Sequence, residues 1–134
     1  MRVSMERLHI AATERSPEVA FDFDEGVFAL RGESYPEDAS RVFGPVFSAL
    51  SAFLADRPKR ALRFDIELIY FNSSSAKALM NMLQMLDKAA AAGVDLAVNW
   101  RFAPDDETMR EFGEDFSEDL EHVTFNLVTV EPAG

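Results

Sequence analysis

The chain contains no cysteine. That excludes a disulfide framework, a thiolate metal site and a cysteine nucleophile, and it fits a reducing cytoplasm. Histidine is nearly as scarce, with only His9 and His122 present. The two stand far apart, and no histidine pair at helical spacing with a glutamate suggests a zinc protease. His9 sits in an alternating segment and reads as structural. No G-x-S-x-G elbow, P-loop or G-x-G-x-x-G occurs, so hydrolase and nucleotide sites lack a motif. The apolar runs are far shorter than a bilayer span. Met1 to Glu6 lacks the apolar core of a signal peptide, which points away from export.

Positive charge is also in deficit: 13 basic residues face 24 acidic ones, a net charge of −11. Phosphate backbones are bound through many Lys and Arg contacts, so nucleic acid is not an expected partner. Anionic membranes are disfavoured for the same reason. Proteins and small cations remain open as partners. With 134 residues and 48% hydrophobic content, the expectation is one domain spanning residues 1–134 around a single core.

What is present is organised around Ala61 to Gly93. Leu62, Phe64, Ile66, Leu68 and Tyr70 alternate with Arg63, Asp65 and Glu67, the period of a half-buried strand. After Phe71-Asn72-Ser73-Ser74-Ser75 the period changes. Ala76, Leu79, Leu83, Leu86 and Ala90 then form an apolar stripe on one helical face, and Gly93 ends the helix. The three serines therefore lie where a strand hands over to a helix, beside backbone N–H groups without partners.

Earlier in the chain, Leu8 and Ile10 mark a short strand from Met5 to Ala11. Val19 to Phe23 and Val27 to Leu30 flank turn residues Asp24-Glu25-Gly26 as a hairpin. Ser34-Tyr35-Pro36-Glu37 fits a capping box, with Ser34 as cap. A helix carrying Val42, Phe43, Val46, Phe47, Leu50, Phe53 and Leu54 follows, bent or divided at Gly44-Pro45 and closed by Arg57-Pro58. Later, Leu96, Val98, Trp100 and Phe102 alternate as a strand. Pro104 to Asp106 opens a third helix with a stripe of Met109, Phe112, Phe116 and Leu120, and Val123 to Val130 is a last strand.

Strand–helix–strand steps favour parallel neighbours. Charged residues alternating with apolar ones leave one sheet face wet. The expectation is therefore an α/β two-layer sandwich, with a mixed, mostly parallel sheet and three helices chiefly on one face.

Two functional readings of the serines stand side by side. Asn72 with Ser73, Ser74 and Ser75 serves as an N-cap with small polar neighbours. Alternatively, a hydroxyl here accepts phosphate, which the helix dipole and free N–H groups favour. Ala78, Met82, Met85 and Ala89 lie opposite and beside the core stripe, where a solvated helix would carry Lys or Glu. They either pack on another helix or form an adaptable docking face beside the serines. The acidic run Asp105-Asp106-Glu107, with Glu111, Glu114, Asp115, Glu118 and Asp119, matches no EF-hand loop and reads as a solvated helix face. A small metal-dependent enzyme using that run is a minor alternative; neither a metal site nor a cofactor is expected.

The chain resembles the SiaC-type biofilm-regulation phosphoproteins of bacteria, small domains similar in fold to anti-sigma-factor antagonists (STAS-like). The resemblance rests on Gly32-Glu33-Ser34-Tyr35-Pro36-Glu37, Tyr70-Phe71-Asn72-Ser73-Ser74-Ser75-Ala76-Lys77, Val98-Asn99-Trp100 and Glu114-Asp115-Phe116, and it covers nearly the whole chain. It implies a non-enzymatic cytoplasmic protein whose unphosphorylated form binds and activates a diguanylate cyclase, raising cyclic di-GMP. It further implies a dedicated Ser/Thr kinase of the histidine-kinase-like ATPase type and a PPM-type phosphatase. By position the acceptor is Ser73, where the family pattern has Thr, with Ser74 as the alternative. An anti-anti-sigma-like partner-switching module is a second reading that the same serine would serve.

Overall fold

A computed structural model describes residues 7–56 and 58–130. Met5 and Glu6, where the first strand is expected to begin, and Arg57, expected to close a helix, lie outside the described residues. The elements run β1 (Arg7–Ile10), β2 (Glu18–Asp22), β3 (Val27–Ser34), α1 (Ala39–Ala55), β4 (Leu62–Phe71), α2 (Ser73–Ala91), β5 (Leu96–Phe102), α3 (Glu107–Glu118) and β6 (Thr124–Thr129). Their order is the expected one.

The six strands lie in chain order, β1-β2-β3-β4-β5-β6. The β1–β2 and β2–β3 pairs are antiparallel, and β3–β4, β4–β5 and β5–β6 are parallel. Three crossovers that each step one strand in the same direction, with the usual right hand, deliver their helices to one side of the sheet. Inward-facing Phe28, Phe64, Ile66, Val98 and Trp100 accordingly join Val46, Leu50, Leu79, Met82, Leu83, Met109 and Phe116 in one continuous core. The opposite sheet face is wet and laced with polar pairs. Arg63 Nε meets Asp65 at 3.2 Å, Arg101 Nε meets Glu67 at 3.3 Å, and Asn99 donates to Asp65 at 2.9 Å.

Three local expectations need correction. Ser34 does not cap α1. Pairing with Phe71 carries β3 as far as Ser34, whose side chain is fully buried, and Asp38 caps the helix by accepting from the Arg41 N–H at 3.3 Å. Gly44-Pro45 does not divide α1, which is one helix from Ala39 to Ala55 with Pro45 inside it. Pro45 is exposed, so its missing N–H falls on the solvent side of the helix rather than in the core. Finally, the alternation of β4 does not hold to Tyr70. Gly32 pairs with Leu68 but Glu33 pairs with Tyr70, so Ile69 is an extra residue on β4. A bulge of this kind shifts the side-chain phase beyond it. Leu68 and Phe71 remain buried, while Ile69 and Tyr70 both turn out, 68% and 52% exposed.

The end of α2 follows the expectation. Gly93 takes φ +106°, its N–H donates to Ala90 O, and the Val94 N–H donates to Ala89 O, the paired bonds of a Schellman cap.

Candidate functional site

The site lies where β4 ends and α2 begins, beside the segment leaving β3. Asn72 is the N-cap, with φ −87° and ψ 176°. Its Oδ1 accepts from the Ser75 N–H at 2.9 Å and from the Ser74 hydroxyl at 3.1 Å. Its backbone N–H donates to Ser34 O at 2.9 Å, and its Nδ2 reaches Pro36 O at 3.5 Å. One side chain thus closes the helix start and ties it to the neighbouring loop.

The three serines have different surroundings. Ser75 is fully buried, and its Oγ shares a 2.7 Å hydrogen bond with the equally buried Ser34 Oγ. Ser74 is exposed but bonded to Asn72. Ser73 is exposed as the first residue of α2, and no side-chain hydrogen bond engages its hydroxyl among the described residues.

The electrostatics suit an added phosphate. The first turn of α2 carries no acidic side chain, although the chain has 24 Asp and Glu. The partial positive charge of this 19-residue helix is therefore left uncompensated at its start. By contrast α3 has Glu107 in its first turn and Asp106 as its cap. Lys77 lies exposed one turn beyond Ser73.

The expected docking face on α2 is only partly at the surface. Met82 is fully buried and Ala78 is 8% exposed; both lie inside the domain, where α2 packs against α1. Met85 and Ala89 are half-buried at the core margin. The reason is geometric: α2 is flanked by the sheet on one side and by α1 on another, so its apolar surface is wider than one stripe. Sequence reasoning missed the exposed apolar pair at the end of β4, a few residues before Ser73 in the chain, namely Ile69 and Tyr70. Tyr70 also packs edge-on against Tyr35, with ring centroids 5.8 Å apart. The available signal was the unbroken apolar run Leu68-Ile69-Tyr70-Phe71, which strict alternation does not produce.

Elsewhere, no group of three His, Cys, Asp or Glu is placed to hold a metal ion among the described residues. His9 hydrogen-bonds Glu18 at 3.2 Å, and two arginines that line the open groove across β1 to β3 are paired, Arg7 with Asp22 at 3.5 Å and Arg31 with Glu18 at 3.5 Å. No helix among the described residues is long and apolar enough to cross a membrane.

Comparison with known proteins agrees with this architecture. A protein of Pseudomonas aeruginosa (strain UCBPP-PA14), itself uncharacterized, is 36% identical over 115 residues, which is 86% of this chain and 90% of that protein. The crystal structure of apo-SiaC from Pseudomonas aeruginosa superimposes with a TM-score of 0.82 at 35% identity, covering 92% of this chain and 99% of that one. A chain from the crystal structure of the diguanylate cyclase SiaD in complex with its activator SiaC, from the same organism, gives 0.86 at 34% identity, covering 92% and 99%. Residues 10–130 match the family described as SiaC family regulatory phosphoprotein. With that match spanning almost the whole described chain, and a six-stranded sheet that superimposes on the solved relatives, the protein belongs to the SiaC family of regulatory phosphoproteins.

Proposed function

We propose that this chain is a non-enzymatic phospho-switch whose unphosphorylated form binds and activates a diguanylate cyclase, and that phosphorylation of Ser73 blocks the contact. The observation that carries the reading is the exposed Ser73 hydroxyl, without a side-chain partner among the described residues, at an acid-free helix start that closely follows the outward-turned Ile69 and Tyr70 in the chain. The SiaC of Pseudomonas aeruginosa, crystallised as the activator of the cyclase SiaD, supports the choice of partner. A Ser/Thr kinase of the histidine-kinase-like ATPase type and a PPM-type phosphatase, acting in the cytoplasm, complete the cycle.

The mechanism is electrostatic. Phosphate at Ser73 adds about −1.5 to −2 charge, which the free N–H groups and dipole of α2 accommodate without unfolding the helix. A partner seated over Ile69 and Tyr70 must then strip water from that charge. An uncompensated charge at a docked surface costs about 2–5 kcal/mol, or roughly 30- to several-thousand-fold in affinity. A loss of that size lets the modified form release the cyclase.

The test is intact-mass analysis of the full chain after incubation with the kinase and ATP. The expected result is a single addition of about 80 Da (one phosphate) that disappears in Ser73→Ala and persists in Ser74→Ala. Cyclase binding and cyclic di-GMP output should fall on phosphorylation and stay high in Ser73→Ala. Phosphate persisting in Ser73→Ala would overturn the assignment of the acceptor. Unchanged cyclase affinity of the phosphorylated form would overturn the switch.

A further inference from the structure

Beyond the phospho-switch, the sheet ends in an edge that is its own complement. Strand β6 is the last in the sheet among the described residues. In a parallel ladder, alternate residues of an edge strand direct both N–H and C=O to the neighbour, and the rest direct theirs outward. The Val130 N–H donates to Phe102 O at 2.9 Å, and Phe102 stands opposite Thr129. Even-numbered residues of β6 therefore serve β5, while Phe125, Leu127 and Thr129 present their backbone groups to the outside.

Nothing on this strand guards the edge. Val123 to Val130 carry no charge and no proline, in a chain with 24 acidic and 13 basic residues. At the other edge, β1 is only four residues long and carries Arg7 and His9. Charge and brevity are the usual protection against strand addition, and β6 has neither. Leu127 is 41% exposed even though its register, opposite Trp100, places it on the helix-covered side.

We propose that two copies of this chain pair through β6, antiparallel, about a two-fold axis at Leu127. That operation sets Leu127 against the second copy's Leu127, and Phe125 against the second copy's Thr129. All of these residues have outward backbone groups, so each opposed pair exchanges both hydrogen bonds. They also share one sheet face, so Leu127 is covered by its symmetry mate. A two-fold pairing closes at the dimer. The acidic helix α3 packs over β5 and β6, so pairing brings two negative helices to the same side and strengthens as salt screens them.

Sedimentation velocity of the full chain over a concentration series, at about 0.1 M and about 0.5 M NaCl, provides the first test. The mass should rise from 15.0 kDa towards twice that value, more readily at high salt. Leu127→Lys should weaken association at least about tenfold, whereas His9→Lys on the guarded edge should leave it unchanged. The second test uses the absence of cysteine in the native chain. Opposed Cα atoms in such a pair lie about 5.5 Å apart, within disulfide range, so Leu127→Cys should form a covalent dimer on mild oxidation and Leu8→Cys should not. A chain that stays at 15.0 kDa throughout would overturn the proposal. So would a dimer indifferent to Leu127→Lys, a dimer in which Leu127→Cys fails to crosslink, or association that continues past two copies.

Discussion

Ser34 and Ser75 satisfy each other in a place where water cannot reach either hydroxyl. Removing one leaves the other buried and unpaired, which costs about 1–3 kcal/mol, whereas removing both costs less than the sum. Ser75→Ala and Ser34→Ala should each lower the melting temperature, and the double variant should fall short of additivity in a thermal double-mutant cycle. Asp87 does comparable work at the far end of α2. Its Oδ1 accepts from the backbone N–H groups of Glu121, His122 and Val123 at 3.0, 2.7 and 3.0 Å, fastening the turn before β6. Partial burial pushes its carboxyl upward, but the three N–H donors and nearby His122 together hold it below the ordinary value of 3.8. A folded-state value lowered in this way gives stability that is present above the unfolded value and lost as pH falls through the folded one. Asp87→Ala should therefore cost about 1 kcal/mol near neutrality, because solvent screens this largely exposed carboxylate. The gap to the native protein should narrow as pH drops below about 4, measured by urea melts across pH.

The helices contain glycines whose replacements should have opposite effects. Gly44 in α1 faces open space apart from its own helix and its chain neighbours, of which the Pro45 ring crowds any Cβ placed before it. Gly44→Ala should therefore gain only part of the ~1 kcal/mol of helix propensity, the clash with Pro45 taking the rest. Gly113 in α3 lies against Trp100, and an added Cβ would meet Trp100 Cδ1 at 2.5 Å and Leu127 Cδ2 at 2.6 Å. The same propensity gain is available there, but the indole has no freedom to retreat: Trp100 is 1% exposed and its Nε1 donates to Met109 O at 2.8 Å. Overpacking of about 1–3 kcal/mol wins, so Gly113→Ala should destabilise. Denaturant melts of the two variants check the contrast directly.

Across the whole molecule, the net charge of −11 is spread over a surface whose wet sheet face is locally balanced. The excess acid therefore lies elsewhere, much of it on α3, and repels itself. Screening should relieve that repulsion. Raising NaCl from about 0.05 M to about 0.5 M should stabilise the dilute, unpaired chain by about 1 kcal/mol, roughly 4 °C in a thermal melt. A fold held chiefly by its exposed ion pairs would move the other way, because exposed pairs weaken in salt.

Element order, helix stripes and the cap at Gly93 were legible in the chain because each depends on neighbours within a few residues. The place of the serines at a strand-to-helix junction followed from the same local logic, with Asn72 suited to a cap by its own chemistry. The phase of Tyr70, the choice between burial and exposure for Ala78 and Met82, and the role of Ser34 were not legible. Each depends on which strand or helix lies alongside. The bulge against Gly32 and Glu33 turned Tyr70 outward beside Ile69, which the alternation of β4 already places out. Packing against α1 decided between the two readings of the α2 surface, and pairing with Phe71 drew Ser34 inward. Periodicity reports a residue's place along its own element. Exposure is decided by contacts between elements distant in sequence, which only the assembled sheet and its helices supply.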